Sequence, residues 1–231
     1  MIFERLYPSP AERIDGDDRA LLLDAYRPPR ADWLRINLIA SVSGSATGAD
    51  GTSETLSSRP DRRILGVIRE LADVVLVGAE SLRAEGYQHP RRSRLAVVTL
   101  SGNLAGNRIE APDGAAPIVI CPPAATASVR SQLPGAEILE LAATERHIAA
   151  GAVIGVLRDR GFASIVCEGG PSLAGQLIEA GLVDELCLST SPRLGGAQLA
   201  LTGSVLITER AVSLHQLLCD EASGLYARWL L

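Results

Sequence analysis

Short apolar runs alternate with amphipathic stretches through most of this 231-residue chain, and this alternation narrows the folds open to it. Runs such as "DVVLVG" (73–78) and "ASIVCEG" (163–169) have the length and the Val and Ile content of buried strands. Between such runs, stretches such as "PDRRILGVIRELA" (60–72) repeat apolar residues at helical spacing. The last stretch, "AVSLHQLLCDEASGLYARWLL" (211–231), predicts two strands joined by a Ser-Gly turn.

This order of elements predicts an α/β fold with a single mixed, mainly parallel sheet, flanked by helices and completed by antiparallel C-terminal strands. We find no internal repeat and no clear boundary, so we predict one domain over residues 1–231, with C-terminal strands in 201–231. Residues 1–32, broken by prolines, are predicted to be an extended or loosely helical lead-in. A helix is predicted over 145–161, because Gly161 is a helix C-terminal signal.

Composition excludes several classes of function. The formal net charge is −5 with acids and bases interspersed, so we expect no nucleic-acid partner. No apolar run reaches the roughly 18 residues that span a bilayer, and the charged start is unlike a signal peptide, so we expect a cytoplasmic protein. All 22 basic residues are arginine. The missing lysine excludes Schiff-base enzymes and a Walker A loop.

The cysteines and histidines give no metal-site pattern. The four cysteines lie in or beside apolar runs without a CxxC pair, so we predict buried, reduced thiols and no metal. The HxE and PCxxC motifs of zinc deaminases are missing from the sequence. His89, His147 and His215 lie far apart along the chain, and we assign them no catalytic role.

Three predicted strand ends carry unusual residues. "ASVSG" (40–44) opens a long Gly/Ser/Thr loop, "VGAESLRAEGY" (77–87) leads from a strand into a helix, and "EGGP" (168–171) does the same. Ligands of open α/β sheets bind outside the carboxyl ends of strands. Glycines there let backbone N–H groups approach an anion, and the following helix adds partial positive charge. The "EGGP" turn therefore suits a pyrophosphate, although a plain strand-to-helix turn would also explain it.

The segment "EGGPSLAGQLIEAGLVDEL…SPRLGG" resembles the C-terminal signature of the riboflavin-biosynthesis pyrimidine reductases, which share the dihydrofolate reductase fold. "NLIASVSG" (37–44) resembles the opening strand of that family, and residues 57–87 resemble its middle segment. The resemblance covers residues 34–200 in the same order, and it leaves 1–32 outside. It implies a dihydrofolate reductase-like fold and an NADPH-dependent oxidoreductase that acts as a homodimer.

The resemblance also implies a reaction and a set of cofactor-binding residues. The substrate would be a ribosylamino-pyrimidine 5′-phosphate whose ribose, in its open imine form, takes hydride at C1 and becomes a ribityl chain. Arg83, or one of Arg91, Arg92 and Arg94, would pair with the 2′-phosphate of NADPH. The cofactor-binding positions implied by the resemblance are Ala40, Thr55, Gly78, Ala79, Ser81, Leu82, Arg83, Thr99, Ser101, Gly169, Gly170, Pro171, Ser172 and Leu173.

For the substrate, the resemblance implies that Ser53 and Arg69 hold the phosphate or ribose and that Glu168 lies beside the pyrimidine. Glu168 and Ser43 are the implied catalytic positions. The chain departs from the family at Ser43, where relatives commonly carry aspartate, and a hydroxyl is a poor acid at neutral pH. Two alternatives therefore stay open: a dihydrofolate or pterin reductase of the same fold, and a protein that binds NADPH without catalysis.

Overall fold

The computed structural model describes residues 1–87, 89–110 and 116–231. The strands of this part of the chain are β1 (Ile2–Tyr7), β2 (Glu12–Asp15), β3 (Trp33–Ser41), β4 (Val74–Gly78), β5 (Arg94–Val98), β6 (Ile118–Cys121), β7 (Glu137–Glu140), β8 (Ser164–Cys167), β9 (Glu185–Ser191), β10 (Ser213–Asp220) and β11 (Leu225–Leu230). The helices are α1 (Arg19–Tyr26), α2 (Arg59–Glu70), α3 (Ala79–Ala84), α4 (Thr126–Gln132), α5 (Ala150–Arg158) and α6 (Pro171–Glu179).

All eleven strands form one mixed sheet in the order β2-β1-β10-β11-β9-β3-β8-β4-β5-β6-β7. The neighbours from β9 to β7 pair in parallel, whereas β2, β1, β10 and β11 pair antiparallel. The predicted α/β class, the mainly parallel sheet and the antiparallel C-terminal hairpin are confirmed. Central strands such as β4 read as continuous apolar runs because helices cover both faces of the sheet.

The helices divide between the two faces of the sheet. Helices α1 to α4 pack on one face, where Ile64 and Ile68 of α2 meet Val75 and Val166. Helices α5 and α6 pack on the opposite face with Leu34, Leu76 and other residues of the central strands. We refer to these as the α2 face and the α6 face. Since successive strand residues point to opposite faces, each strand residue belongs to one of these two layers.

The first 32 residues are more regular than the predicted lead-in, which is a correction. Strand β1 pairs with β10 and β2, so these residues extend the sheet. Phe3 is fully buried, and its ring meets that of Tyr226 edge-on with centroids 5.4 Å apart. Asp18 caps α1 by accepting hydrogen bonds from the first-turn amides. The polar edge strands lack the apolar run that marks the central strands, so composition alone did not reveal them.

Two other boundaries differ from the prediction. Helix α5 begins at Ala150 rather than 145, because Ala143 and Ile148 pair as an isolated bridge just before it. Within 201–231, only β10 and β11 are strands, and residues up to 212 run without regular structure. No helix in the described part of the chain is long and apolar enough to cross a membrane. Among the same residues, no three His, Cys, Asp or Glu side chains are grouped to hold a metal ion.

Candidate functional site

Four parallel neighbours, β3, β8, β4 and β5, end at the same edge of the sheet. Ala40 lies at the end of β3, Glu168 follows β8, Gly78 ends β4, and Thr99 follows β5. The three strand ends singled out in the sequence are therefore next to one another. This edge is where open α/β sheets bind ligands, and we define it as the candidate site.

The two glycine turns of this edge contact each other directly. The Gly78 amide donates to the Gly169 carbonyl at 2.7 Å. A Cβ at Gly170 would come within 2.6 Å of Ser81 Oγ in α3, and a Cβ at Gly78 would lie 3.3 Å from the Gly170 nitrogen. A side chain at either glycine would crowd this contact, so that Ser81 Oγ or the facing backbone would have to move. The peptide bond between Gly169 and Gly170 is cis.

Helix α6 begins at this contact with free hydrogen-bonding capacity. Gly170 is its N-cap residue, Pro171 occupies the first turn, and no side chain in the described part of the chain caps it. Helices α3, α4 and α5 likewise lack a side-chain cap among the described residues, whereas Asp18 caps α1 and Ser58 caps α2. An uncapped helix N-terminus presents amide donors and partial positive charge, which is the arrangement that binds phosphate groups. The residues here thus fit the diphosphate of a dinucleotide.

The remaining cofactor candidates near the ends of β4 and β5 differ in burial and in hydrogen bonding. Leu82 is fully buried core, and Ala79 is nearly so. Arg83 Nη1 donates to the Asn103 carbonyl at 2.7 Å, which ties α3 to the loop after β5. In that loop, Thr99 Oγ1 accepts the Gly102 amide at 3.0 Å, and Ser101 Oγ accepts the Asn103 amide at 3.2 Å.

The arginine alternatives to Arg83 lie elsewhere. Arg94 begins β5, at the opposite edge of the sheet from the candidate site, and it donates to the Ala116 carbonyl and Glu137. Pairing of Arg94 with a cofactor phosphate therefore stays a prediction that its position does not favour. Arg92, two residues earlier, forms an ion pair with Glu70 at 2.5 Å, and Arg91 beside it is exposed. Arg83 lies in α3, which directly follows β4 at the candidate site, and we retain it for the proposal.

The long loop after β3 holds the other candidates. The Gly195 amide donates to Ser43 Oγ at 3.0 Å, and Ser43 Oγ also lies 2.9 Å from Ser41 Oγ. Ser43 thus links this loop to the segment after β9, and its predicted catalytic role would use the same hydroxyl. The Ser53 amide lies 3.4 Å from Glu85, and Thr55 Oγ1 donates to Asp50 at 3.1 Å.

The strongest polar arrangement at the site joins Arg69, Glu168 and Tyr87. Arg69 donates from Nε and Nη2 to the two carboxylate oxygens of Glu168, each at 2.7 Å. Tyr87 OH donates to Glu168 Oε2 and accepts from Arg69 Nη2. The guanidinium also lies over the Tyr87 ring, 4.9 Å from its centroid. The Glu168 side chain is 5% exposed and that of Arg69 is 28% exposed, so the cluster is open on the arginine side.

Electrostatics keep this cluster in one charge state. Burial lowers the pKa of Arg69, but the hydrogen bonds and charge interactions with Glu168 and Tyr87 together raise it by more, so the net shift is upward and the guanidinium stays charged. Burial and the neighbouring Glu168 charge raise the pKa of Tyr87. Nη1 of Arg69 donates to no residue in the described part of the chain. Its two N–H groups can therefore bind a ligand oxygen while the other nitrogens hold Glu168.

Two functional candidates escaped the sequence analysis. Tyr87 stood within a quoted motif, but nothing in the sequence indicated that it would meet Glu168. Asp61, only 8% exposed, lines a cavity of about 290 Å³ with Ile39, Ser189 and Tyr226. Burial raises the pKa of Asp61, although Ser57 Oγ donates to it at 2.7 Å. An acid in the first turn of a helix suggests only dipole stabilisation, so the cavity could not be predicted from this residue.

Comparison with known proteins places this geometry in a family. The RibD C-terminal domain model matches residues 32–222. The riboflavin biosynthesis protein RibD of Bacillus amyloliquefaciens is 28% identical over 179 residues, covering 73% of this chain and 47% of that protein. RibD of Mycobacterium tuberculosis is 27% identical over 180 residues, covering 77% and 46%. The chain thus spans about half the length of the curated relatives it matches.

Solved structures show the same fold. A pyrimidine reductase-like protein from Corynebacterium diphtheriae superposes with a TM-score of 0.80 at 22% identity, covering 92% of this chain and 98% of that one. A deaminase/5-amino-6-(5-phosphoribosylamino)uracil reductase from Thermotoga maritima superposes with a TM-score of 0.67 at 16% identity, covering 90% and 57%. The family match extends beyond the 34–200 resemblance at both ends. The chain belongs to the RibD C-terminal domain family.

Proposed function

We propose that the chain is an NADPH-dependent reductase of a ribosylamino-pyrimidine 5′-phosphate in riboflavin biosynthesis. One observation carries the proposal: Glu168, held by Arg69 and Tyr87, directly precedes the Gly169-Gly170 turn. A substrate bound by Glu168 would therefore lie beside a dinucleotide held by the turn. The family membership and the RibD names of its relatives support the same activity.

The cofactor would be held along the C-terminal edge of β3, β8, β4 and β5. The amides of Gly170, Ser172 and Leu173 would bind the diphosphate, and Arg83 would pair with the 2′-phosphate. When bound, NADPH supplies the hydride that reduces the ribose carbon. The other proposed contacts are Ala40, Thr55, Gly78, Ala79, Ser81, Leu82, Thr99, Ser101, Gly169 and Pro171.

The substrate residues would act through hydrogen bonds and charge. Glu168 accepts N–H groups of the pyrimidine ring, because carboxylate oxygens keep lone pairs beyond those used by Arg69 and Tyr87. Arg69 holds that carboxylate in place and offers Nη1 to the phosphate or ribose, with Ser53 as a second donor. The proposed proton relay through Ser43 completes the reduction, with water as the proton source.

Absorbance at 340 nm tests the activity directly. We expect NADPH consumption with the ribosylamino-pyrimidine 5′-phosphate and none with dihydrofolate. Consumption with dihydrofolate alone would favour a pterin reductase. Tight NADPH binding without consumption of either substrate would favour the non-catalytic protein.

Two variants test the assigned roles. Arg69→Ala should raise KM for the phosphorylated substrate far more than KM for its dephosphorylated form, and an equal effect would remove Arg69 from phosphate binding. Gly170→Ala combined with Ser81→Ala relieves the internal contact with Ser81 Oγ. If this pair still loses NADPH affinity relative to Ser81→Ala alone, the side chain at position 170 blocks the diphosphate itself.

We also propose a cytoplasmic homodimer formed through the α6 face of β9, β10 and β11. Leu188, Ala227 and Leu217 are cross-strand neighbours there and are half-buried, whereas the alternating residues on the α2 face are buried. A half-buried apolar strip of this kind is suited to a symmetric partner. Light scattering on a sizing column should give twice the chain mass, and Leu217→Glu should give a monomer. A monomeric wild-type protein at micromolar concentration would contradict the proposal.

A further inference from the structure

The segment between β9 and β10 runs along the whole length of α6. We call residues 199–210 the strap. At its start, the Leu199 carbonyl accepts the Ala46 amide at 2.8 Å, which joins the strap to the loop after β3. At its end, Arg210 Nη1 donates to the Ile178 carbonyl in the last turn of α6 at 2.9 Å. The strap therefore runs from the loop after β3, at the candidate site, to the last turn of α6.

Close packing joins the middle of the strap to α6. A Cβ at Gly175 of α6 would come within 2.7 Å of the Thr202 carbonyl and 2.8 Å of Val205 Cβ. This helix position thus has room only for glycine. The contact brings the strap backbone against α6 one turn after the helix begins, and the next strap residue, Gly203, reaches the first turn itself.

Gly203 lies against the amide of Ser172. A Cβ at Gly203 would be 2.7 Å from Ser172 Oγ and 3.1 Å from the Ser172 backbone nitrogen. Gly203 also has a φ of +60°, in the region that L residues rarely adopt. A side chain at position 203 would therefore press on the first turn of α6 and shift the Ser172 amide by a few tenths of an ångström, where the proposed function puts the cofactor diphosphate.

We infer that Gly203 is a positioning residue for NADPH, because its missing side chain lets the strap hold the Ser172 amide where the diphosphate binds. The inference rests on the proposed function. Gly203 itself touches no reacting atom, and it acts through the position of the α6 first turn. A displaced amide would weaken a charge-assisted hydrogen bond to the cofactor, whose strength depends on distance and angle.

The test compares Gly203→Ala with Gly181→Ala, a matched control. Gly181 has a φ of +66°, but a Cβ there meets no described atom within 4 Å. Both variants carry a similar backbone strain, and only Gly203→Ala adds the steric contact with the first turn of α6. Only Gly203→Ala should raise Kd for NADPH, by about tenfold. KM for the pyrimidine substrate at saturating NADPH should stay unchanged in both variants.

A second ligand and a second variant test whether the loss of affinity arises at the diphosphate. 2′-Phospho-ADP-ribose, which keeps the diphosphate and lacks nicotinamide, should lose affinity for Gly203→Ala by the same factor as NADPH. If Gly203→Ala fails to fold, Gly175→Ala moves the strap without a left-handed backbone and should raise Kd for NADPH about threefold. A folded Gly203→Ala that binds NADPH as tightly as Gly181→Ala overturns the inference. If wild-type protein does not bind NADPH, the proposed function is overturned as well.

Discussion

Two arginine–glutamate clusters lie on the α2 face of the same sheet, and they differ in position and exposure. Glu185 begins β9 and is bound by Arg35 at 2.7 Å and Arg228 at 2.5 Å, with all three side chains at most 5% exposed. Glu168 follows β8 at the opposite edge and pairs with Arg69, which is 28% exposed. We call Glu185 with Arg35 and Arg228 the closed cluster, and Glu168 with Arg69 and Tyr87 the open cluster.

The remaining donors explain the difference between the clusters. Arg35 also donates to the Tyr26 carbonyl, and Arg228 donates to the Ala25 carbonyl. The two arginines therefore cap the C-terminus of α1. Trp33 Nε1 adds a third donor to Glu185 at 2.8 Å. Arg69 keeps Nη1 without a partner among the described residues, and its side chain is 28% exposed, so a ligand can reach that nitrogen. A buried cluster whose arginines also bind backbone carbonyls stabilises the fold, and an exposed arginine at the strand ends can bind a ligand.

The largest expected effect is on the closed cluster. Glu185→Gln leaves two buried arginines without their countercharge, and we expect it to lower the unfolding free energy by about 3–5 kcal/mol. Urea unfolding measures this loss. Glu168→Gln is the matched substitution in the open cluster and should lower it by about 1 kcal/mol, because water reaches Arg69. Equal losses would mean that both clusters serve only the fold.

The second largest expected effect is a loss of unfolding free energy when the closed cluster is protonated at low pH. Burial raises the pKa of Glu185, but Arg35 and Arg228 lower it by more, to about 2 from an ordinary 4.5. A carboxylate with a depressed pKa stabilises the folded state above pH 4.5, and this contribution is lost as the pH falls toward 2. The loss should be roughly 3 kcal/mol. The difference in unfolding free energy between wild type and Glu185→Gln should shrink over that range, and a constant difference would contradict the assignment.

In the open cluster, the expected loss is in activity. Glu168→Gln should reduce kcat/KM for the pyrimidine substrate by about 100-fold, or about 2.7 kcal/mol. The carboxylate can accept N–H groups at both oxygens, whereas the glutamine amide has only one accepting oxygen. The NADPH Kd should stay unchanged, since the glycine turn is intact. Steady-state kinetics and a fluorescence titration separate these quantities. A Glu168→Gln enzyme with full activity would leave the open cluster without a function.

Tyr87→Phe should have the smallest effect. The variant removes one hydroxyl from between Arg69 and Glu168 but keeps the ring under the guanidinium, so the loss of unfolding free energy should be about 1 kcal/mol. KM for the substrate should rise severalfold while kcat stays nearly constant. Thermal unfolding and initial rates provide both measurements. A loss as large as that of Glu185→Gln would show that the open cluster is as tightly coupled to the fold as the closed one.

Much of the architecture could be predicted because local pattern decides it. The runs at β4 and β8 are almost entirely apolar because both faces of the sheet are covered, and the turn between β10 and β11 carries its own Ser-Gly signal. Because the carboxyl ends of parallel strands lie at the same edge of a sheet, Gly78 and Gly169 could also be predicted to lie close together. The pairing of Arg69 with Glu168 could not be predicted from pattern, because 99 positions separate them and only the packed sheet brings them together. Strand β1 was missed for a related reason, since its partner β10 lies at the other end of the chain.

The buried arginines of the closed cluster also affect how this protein can be shortened. The family match covers residues 32–222, whereas Arg228 lies beyond it and the helix whose carbonyls it binds lies before it. A truncation made at those limits would remove β11 and α1, and with them Arg228 and the carbonyl groups that it binds. The structural unit therefore extends beyond the family match at both ends.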